Sequence, residues 1–252
     1  MDEDRSAVSC MRAITISREY GSGGGEIATR TATRLGWKLI DHEVVVRVAQ
    51  ELGVTEAEAE AYDERTESTV SRILATLQAI QPTIPVAPPV LLTTDAHDYN
   101  EARRRVIEGA VAAGQVVIVG RGAQVLLAQR RDVLHVRIVA PLDKRIIYVM
   151  QREGLDQNAA RVRVQVKDRD RARYLQVEHN KDSGDPHLYD LVVNTSILDL
   201  DSVVDLLSFA LEYKARRLLT PTGELGPGAG QPRYPGQPGD FRPPKSTTEP
   251  QA

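Results

Sequence analysis

The chain has 252 residues, 41% of them hydrophobic, and its formal net charge is -3. This length and apolar content suffice for one substantial core, whereas the charge and the 4% share of aromatic residues argue against nucleic acid as a partner. The single cysteine, Cys10, excludes an internal disulfide framework. The acidic first ten residues lack the apolar segment of a secretory signal, and no apolar run reaches the roughly eighteen residues of a membrane span. We therefore expect a cytoplasmic protein that binds no membrane.

The first part of the chain predicts two strand-and-helix units. Ala13 to Ser17 is apolar and rich in β-branched residues, which predicts a buried strand. After a glycine cluster, apolar residues recur at helical spacing until Gly36, where the helix should end. Lys38 to Ile40 predicts a short strand, and Asp41 then stands at the N-cap of a helix expected over residues 42–52.

The rest of the chain continues the alternation. Residues 55–80 predict helix, and residues 81–89, with four prolines, predict a rigid connector. The pattern further predicts helices at 99–113 and 200–219, one long helical stretch at 143–178, and strands at 116–119, 134–140 and 190–194. From Pro221 onward there are 8 prolines and 6 glycines in 32 residues, so we expect disorder there.

Each predicted strand is a continuous apolar run rather than an alternating one. Such runs, separated by helices, are typical of a parallel sheet that is covered on both faces. We therefore predict an α/β fold of three layers around a five-stranded parallel sheet.

The glycine-rich segment Ser17 to Ala28 is the first candidate site. A glycine-rich turn between a buried strand and a helix directs backbone N–H groups and the positive end of the helix dipole at one point, which suits a phosphate. Glycine fills four of the five positions 21–25. The alternative is a tight turn that only tolerates glycine. The lysine and the following hydroxyl residue of a standard phosphate-binding loop are missing.

Three further segments carry charged residues in suggestive places. Asp41 and Arg47 could face a common pocket, although an N-cap aspartate and a solvated arginine explain them as well. Arg121 follows the strand at 116–119, at the sheet edge where α/β proteins bind ligands, or it is a surface arginine. In the segment 162–176, Arg169 and Arg173 share a helix face and Arg171 points elsewhere. This segment is either a solvated face or a lid that closes over phosphates.

Metal and thiol chemistry have little support. The five histidines show no metal-ligand spacing, and Cys10 has no partner. We expect no protein-bound metal site of this kind.

Together these segments resemble the cytidylate kinase-like family, a branch of the P-loop nucleoside-monophosphate kinases. The resemblance covers roughly residues 12–218 and rests on ITISREYGSGG, VIVGRG, DRDRARYL and GDPHLYDLVVNTSILDLDSV. It implies a P-loop domain over residues 12–219, with a helical acceptor-binding insertion at about 53–98 and a lid at about 157–188. Residues 1–11 and 220–252 would be disordered flanks.

The resemblance also implies roles for individual residues. ATP and Mg2+ would be the cofactors, and small-molecule nucleotides the partners. The phosphates of ATP would bind at the loop, through Arg18, Gly21, Ser22, Gly23, Gly24 and Gly25. The acceptor would bind at Asp41, Arg47 and Arg121, and the catalytic lid arginines would be Arg169, Arg171 and Arg173.

Two departures from the family pattern bear on activity. Relatives carry lysine in the loop, or arginine at the place of Gly25, and true cytidylate kinases often have aspartate where this chain has Gly122. Loss of the loop cation should cost a few kcal/mol of transition-state stabilisation, about a hundredfold in rate, unless Arg18, Lys38 or a lid arginine substitutes.

Three hypotheses follow. The first is ATP-dependent phosphoryl transfer to a nucleoside monophosphate such as CMP or dCMP. The second is a catalytically weak or inactive nucleotide-binding regulatory protein with the same fold. The third is a kinase for a different small phosphate acceptor. The oligomeric state stays open.

Overall fold

The computed structural model describes residues 8–41 and 96–226, with side chains in the second segment from residue 103 onward. The helices predicted at 42–52 and 55–80, the proline-rich connector, Arg47 and most of both flanks lie outside these residues. The chain divides into two units, residues 1–218 and 219–252. In the described part of the second unit, the regular structure is a single 3-10 turn, Thr222–Glu224.

Five parallel strands form one sheet in the first unit. They are β1 (Ala13–Arg18), β2 (Lys38–Ile40), β3 (Val116–Val119), β4 (Val133–Val139) and β5 (Leu191–Asn194). The strand order is β2-β3-β1-β4-β5, and every neighbouring pair is parallel. The predicted fold class is therefore confirmed, and every predicted strand lies within one residue of its observed bounds.

Six helices connect the strands within the described residues. They are α1 (Gly24–Leu35), α2 (Ala96–Ala113), α3 (Ala123–Leu126), α4 (Leu142–Glu153), α5 (Gln157–His179) and α6 (Leu200–Arg216), and a 3-10 turn, Pro186–Leu188, precedes β5. The predicted last helix was too long at its end, since α6 stops at Arg216. None of the described helices combines the length and the apolar character needed to cross a membrane.

The long helical stretch predicted over 143–178 is divided between two helices, α4 and α5. Gly154 ends α4 in the left-handed conformation, at φ 67°. The Asp156 carboxylate then accepts a hydrogen bond from the backbone N–H of Ala159 at 2.9 Å and caps a new helix. The glycine and the capping aspartate override the helical character of the residues on either side.

The central strands β1 and β3 are buried on both faces because neighbouring residues of each strand enter different layers. In β1, Ile14 and Ile16 pack with α1 and α6, whereas Ala13 packs with α2 and α3. This two-sided burial is the reason that the strands read as continuous apolar runs.

The strand order brings the carboxyl ends of β1, β3 and β4 together. Ile16 lies beside Val119 on one side of β1, and Ser17 lies beside Arg137 on the other. The residues that follow these positions therefore meet at one edge of the sheet, on the flanks of its central strand.

The buried His135 and the partly buried His179 should make the fold sensitive to acid. Burial lowers the pKa of His135 and of His179, and the Arg103 charge lowers the pKa of His179 further. Below pH 6.5, the approximate pKa of histidine in the unfolded state, the unfolded state binds more protons than the folded state does. The stability is thus fully present above pH 6.5 and should fall as the pH is lowered through that value.

The expected result is a melting temperature that drops between pH 7.5 and pH 5, and drops less in a His135→Asn variant. Thermal unfolding at both pH values measures it. The matched control is His187→Asn, since the His187 side chain is 90% exposed. An equal drop in the wild type and the His135 variant would contradict this reading.

Candidate functional site

The glycine-rich loop joins β1 to α1 through a left-handed turn. Gly21 and Gly23 have φ values of 81° and 80°, which glycine adopts without strain. The Ser22 hydroxyl donates to the backbone oxygen of Glu19 at 2.9 Å, and Thr195 donates to the backbone oxygen of Ser22 at 3.0 Å. The loop is therefore a fixed part of the sheet edge, as the strand–loop–helix prediction requires.

Packing explains three of the four loop glycines. A Cβ at Gly21 would lie 2.8 Å from the backbone oxygen of Arg145, and a Cβ at Gly23 would lie 2.8 Å from Leu200 Cδ2. A Cβ at Gly24 would lie 2.7 Å from Arg18 Cβ. Only a Cβ at Gly25 would meet open space, with no described atom within 4 Å. Among these four glycines, Gly25 is therefore the one whose position could accept a long side chain.

Alanine at Gly24 and alanine at Gly25 should differ in effect although both lie in the first turn of α1. Gly24→Ala should lower the free energy of unfolding by about 1–3 kcal/mol, because the methyl group overpacks against Arg18. Gly25→Ala should be neutral or stabilise by up to about 1 kcal/mol, since alanine favours the helix. Chemical denaturation of the two variants compares them directly, and equal effects would contradict the packing described here.

A cavity of about 640 Å³ opens at the carboxyl edge of the sheet. The ends of β1 and β3, Arg137 of β4, and the middle of α5 line it. Its charged lining residues are Arg18, Glu19, Arg121, Arg137, Lys167, Asp168, Arg169, Asp170 and Arg171. Six of these nine side chains are basic, so the cavity suits an anion.

Arg18 is the cavity arginine whose pKa is lowered most. Its side chain leaves the end of β1, passes Gly24, and reaches Gly120, where a Cβ would lie 2.5 Å from its guanidinium. Burial, and then the charges of Arg171 and Arg121, lower the pKa of Arg18 from its usual high value to about 9, against an opposing effect of Asp41. At neutral pH, Arg18 is thus a desolvated cation held among like charges, an arrangement that a bound anion would stabilise.

Arg121 sits in a strained turn after β3. Gly120, Arg121 and Gly122 have φ values of 75°, 61° and 67°, so three successive residues are left-handed. A left-handed arginine is uncommon, and such strain concentrates at functional sites. The Tyr174 hydroxyl donates to the backbone oxygen of Arg121 at 3.4 Å and ties this turn to α5.

Gly122 allows α5 to dock on the same turn. A Cβ at Gly122 would collide with Nε2 of His179, the last residue of α5. The His179 ring packs edge-on against Tyr174, with 5.9 Å between ring centroids, and the Arg103 guanidinium lies 4.9 Å from the Tyr174 ring centroid. A side chain at position 122 would therefore conflict with the observed position of His179.

The middle of α5 is bound to the loop through Asp168. Its carboxylate accepts a hydrogen bond from the backbone N–H of Tyr20 at 2.7 Å and forms an ion pair with the buried Arg145. Arg171 donates to the backbone oxygen of Arg18 at 3.3 Å. A carboxylate thus occupies a backbone donor of the loop, and α5 packs against this edge of the sheet.

The structure brings some of the predicted site residues together and not others. Arg18, Arg121, Arg169 and Arg171 line the cavity, whereas Arg173 is exposed and does not. The loop residues Gly21, Ser22, Gly23, Gly24 and Gly25 lie beside the cavity and are absent from its lining. The charge of Asp41 raises the pKa of Arg18. Lys38 is the first residue of β2 and lies beside the first residue of β3, at the amino end of the strands. It therefore lies away from the loop and cannot replace a loop cation.

Sequence reasoning missed Arg137, Arg145 and Tyr174. The sequence does mark Arg137, because it is an arginine near the carboxyl end of a strand that is apolar apart from His135. Arg145 and Tyr174 lie on helices among many charged residues, where spacing alone does not distinguish an inward side chain. In the described part of the chain, no cluster of three or more potential metal ligands occurs.

Comparison with known proteins decides the family. The cytidylate kinase-like family matches residues 13–197. The chain belongs to this family. The match covers all five strands, the cavity-lining residues and α5. A crystal structure of an uncharacterized protein from Eubacterium ventriosum shares the fold, with a TM-score of 0.59 at 21% identity over 80% of this chain and 98% of that one.

Two curated relatives illustrate the similarity. A cytidylate kinase from Thermococcus kodakarensis is 28% identical over 215 residues, which cover 84% of this chain and 92% of that protein. A uronate isomerase from Corynebacterium glutamicum is 32% identical over 122 residues, 48% of this chain. The aligned region spans only 23% of that isomerase.

Proposed function

We propose that this protein transfers the γ-phosphoryl group of ATP to a nucleoside monophosphate, with CMP or dCMP as the expected acceptor. The observation that carries the proposal is the convergence of Arg18, Arg121 and Arg171 in one cavity at the carboxyl ends of parallel strands. Membership of the cytidylate kinase-like family supports the same reaction class.

The reaction needs positioning and charge more than a protein nucleophile. An oxygen of the acceptor monophosphate attacks the γ-phosphorus, a new P–O bond forms, and the bond to the bridging oxygen of ADP breaks. The acceptor phosphate is largely ionised at neutral pH, with a second pKa near 6, and needs no general base. Arginines that hold both phosphates in line and neutralise the developing charge supply most of the catalysis.

The described residues fit the phosphates of ATP better than they fit a protein-held metal. Glu19 and Asp168 line the cavity, but Glu19 accepts from the backbone N–H of Ala140 at 3.1 Å, and both carboxylates face Arg145. We therefore assign Mg2+ to the nucleotide, since this ion is commonly held by substrate phosphates and water. When bound, it would neutralise phosphate charge.

We assign α5 and the turn after it, residues 157–188, as the lid, and the segment 53–98 as the acceptor-binding insertion. In α5, only Ala160, Val164 and Leu175 are buried, so little apolar area opposes its opening. Arg169 and Arg171 on α5 would close over the transferring phosphate, and Arg173 would act only after a shift of the helix. Arg47 and Asp41 are proposed for the acceptor side.

Measurement of ADP formation from ATP with CMP, dCMP, UMP and AMP, with and without magnesium, tests the proposal. We expect turnover with at least one cytidine nucleotide and dependence on magnesium. Folded protein that turns over none of these acceptors would exclude nucleoside-monophosphate kinase activity. Turnover restricted to a broader panel of phosphorylated metabolites would instead favour a different acceptor.

A second candidate is a nucleotide-binding protein with weak or no transfer activity. The absence of a cation at Gly24 and Gly25, and the Asp168 carboxylate on the Tyr20 amide, favour it. Calorimetry should then show nucleotide binding without turnover. Because the Gly25 position faces open space, a Gly25→Arg variant should fold, and a gain of transfer activity in it would support this candidate.

A further inference from the structure

Arg137 is the cavity arginine for which no role has been assigned so far. It lies near the carboxyl end of β4, directly beside Ser17 of β1. The strand is otherwise apolar except for His135. Arg137 is half-buried and lines the cavity, so its charged group lies where it could meet a ligand rather than in the apolar core.

The contacts of Arg137 hold it in place without neutralising it. Its guanidinium donates to the Ser17 hydroxyl at 3.2 Å and to the Tyr189 hydroxyl at 3.4 Å, and it lies 5.6 Å from the Tyr189 ring centroid. The Tyr189 hydroxyl is itself fixed, because it donates to the backbone oxygen of Ser183 at 3.0 Å. Within the described residues, no carboxylate forms an ion pair with Arg137.

Arg145 shows the contrast within the same region. Its guanidinium is buried more deeply, but it is paired with Asp168 and Glu19. A guanidinium partly removed from water is costly unless an anion compensates it. Arg145 has such anions in the protein, and Arg137 has none among the described residues.

The surroundings of Arg137 add positive charge. Burial lowers the pKa of Arg171 on α5, and the charge of Arg137 lowers it further, against an opposing effect of Asp168. The cavity lining contains six basic residues and three carboxylates, and two of those carboxylates, Glu19 and Asp168, already contact Arg145. The positive charge near Arg137 therefore exceeds the negative charge that the protein provides there.

We propose that Arg137 binds a phosphate group of the bound nucleotide and supplies positive charge that the loop lacks at Gly24 and Gly25. The proposal rests on the proposed function for the identity of the nucleotide, but the phosphate chemistry stands by itself. The ligand class is a phosphate of the donor or of the acceptor, held between the carboxyl ends of β1 and β4. Ser17 and Tyr189 position the guanidinium for it.

Calorimetric titration with ADP, CMP and inorganic pyrophosphate tests this assignment on the full chain. We expect Arg137→Gln to weaken the binding of pyrophosphate and of one nucleotide by about tenfold, the usual loss for one hydrogen bond to a charged group. The nucleotide that loses affinity identifies the donor or the acceptor phosphate. The matched control is Arg130→Gln, which makes the same charge change beyond the opposite end of β4, where Arg130 pairs with Asp132.

A second variant separates charge from packing. Arg137→Lys should bind pyrophosphate more tightly than Arg137→Gln does, because it keeps the charge. Equal weakening in both variants would show a structural role and overturn the assignment, as would wild-type affinity in Arg137→Gln or a wild type that binds none of the three probes. Binding that depends on Arg137 without any turnover would leave the assignment standing and reject the kinase activity.

Discussion

Replacement of Arg18 by methionine should reduce phosphoryl transfer about a hundredfold or more, without loss of thermal stability. The expected loss is that of a preorganised donor in a water-excluded site, typically 10² to 10³ in rate. Methionine keeps the aliphatic packing against Gly24 but removes the charge. Because burial and two neighbouring arginines disfavour that charge, its removal should leave the melting temperature equal or raise it, a trade-off common at functional sites.

A coupled assay of ADP formation measures the rate. Thermal unfolding of the same preparations measures the melting temperature. The matched control is Arg34→Met on α1, where the arginine is exposed and pairs with Asp205; it should change neither property appreciably. Unchanged turnover in Arg18→Met would remove Arg18 from the phosphate site. A large fall in melting temperature would show that Arg18 serves the fold.

Replacement of Leu207 by alanine should cost about 2–5 kcal/mol of unfolding free energy. Leu207 is fully buried where α6 packs on the sheet and α1. For a protein of this size the melting temperature should fall by about 5–15 °C. Leu207 lies in the core under α6 and does not line the cavity, so the remaining folded protein should keep its nucleotide affinity.

The neighbouring position on the same helix supplies the control. Leu206 is 38% exposed, and Leu206→Ala removes the same atoms while leaving a smaller cavity, so it should cost less than half as much. Thermal and chemical unfolding of both variants measure the difference. Equal losses would mean that the packing of α6 differs from the one described here.

The strands were predictable because their signal is local. Val116 to Val119 and Ala13 to Ser17 are short runs rich in apolar and β-branched residues, and burial on both faces makes such runs distinctive. The break between α4 and α5 also has a local sequence signal, the helix-ending Gly154 and the capping Asp156. It was missed because the residues on both sides favour helix. The residues of the site were predictable only where a motif marks them, as at Arg121.

At the glycine-rich loop, the contribution of the sequence differs from that of the tertiary structure. The sequence alone determined that a glycine turn joins a buried strand to a helix and that the loop has no cation. The tertiary structure decided why three of the four glycines are there, since the contacts of Gly21, Gly23 and Gly24 come from α4, α6 and Arg18. It also decided which arginines share the cavity, because Arg18, Arg121, Arg137 and Arg171 meet only when parallel strands and α5 bring distant segments to one edge. Spacing along a chain fixes which residues share a helix face or a strand, but contacts between elements depend on how those elements pack.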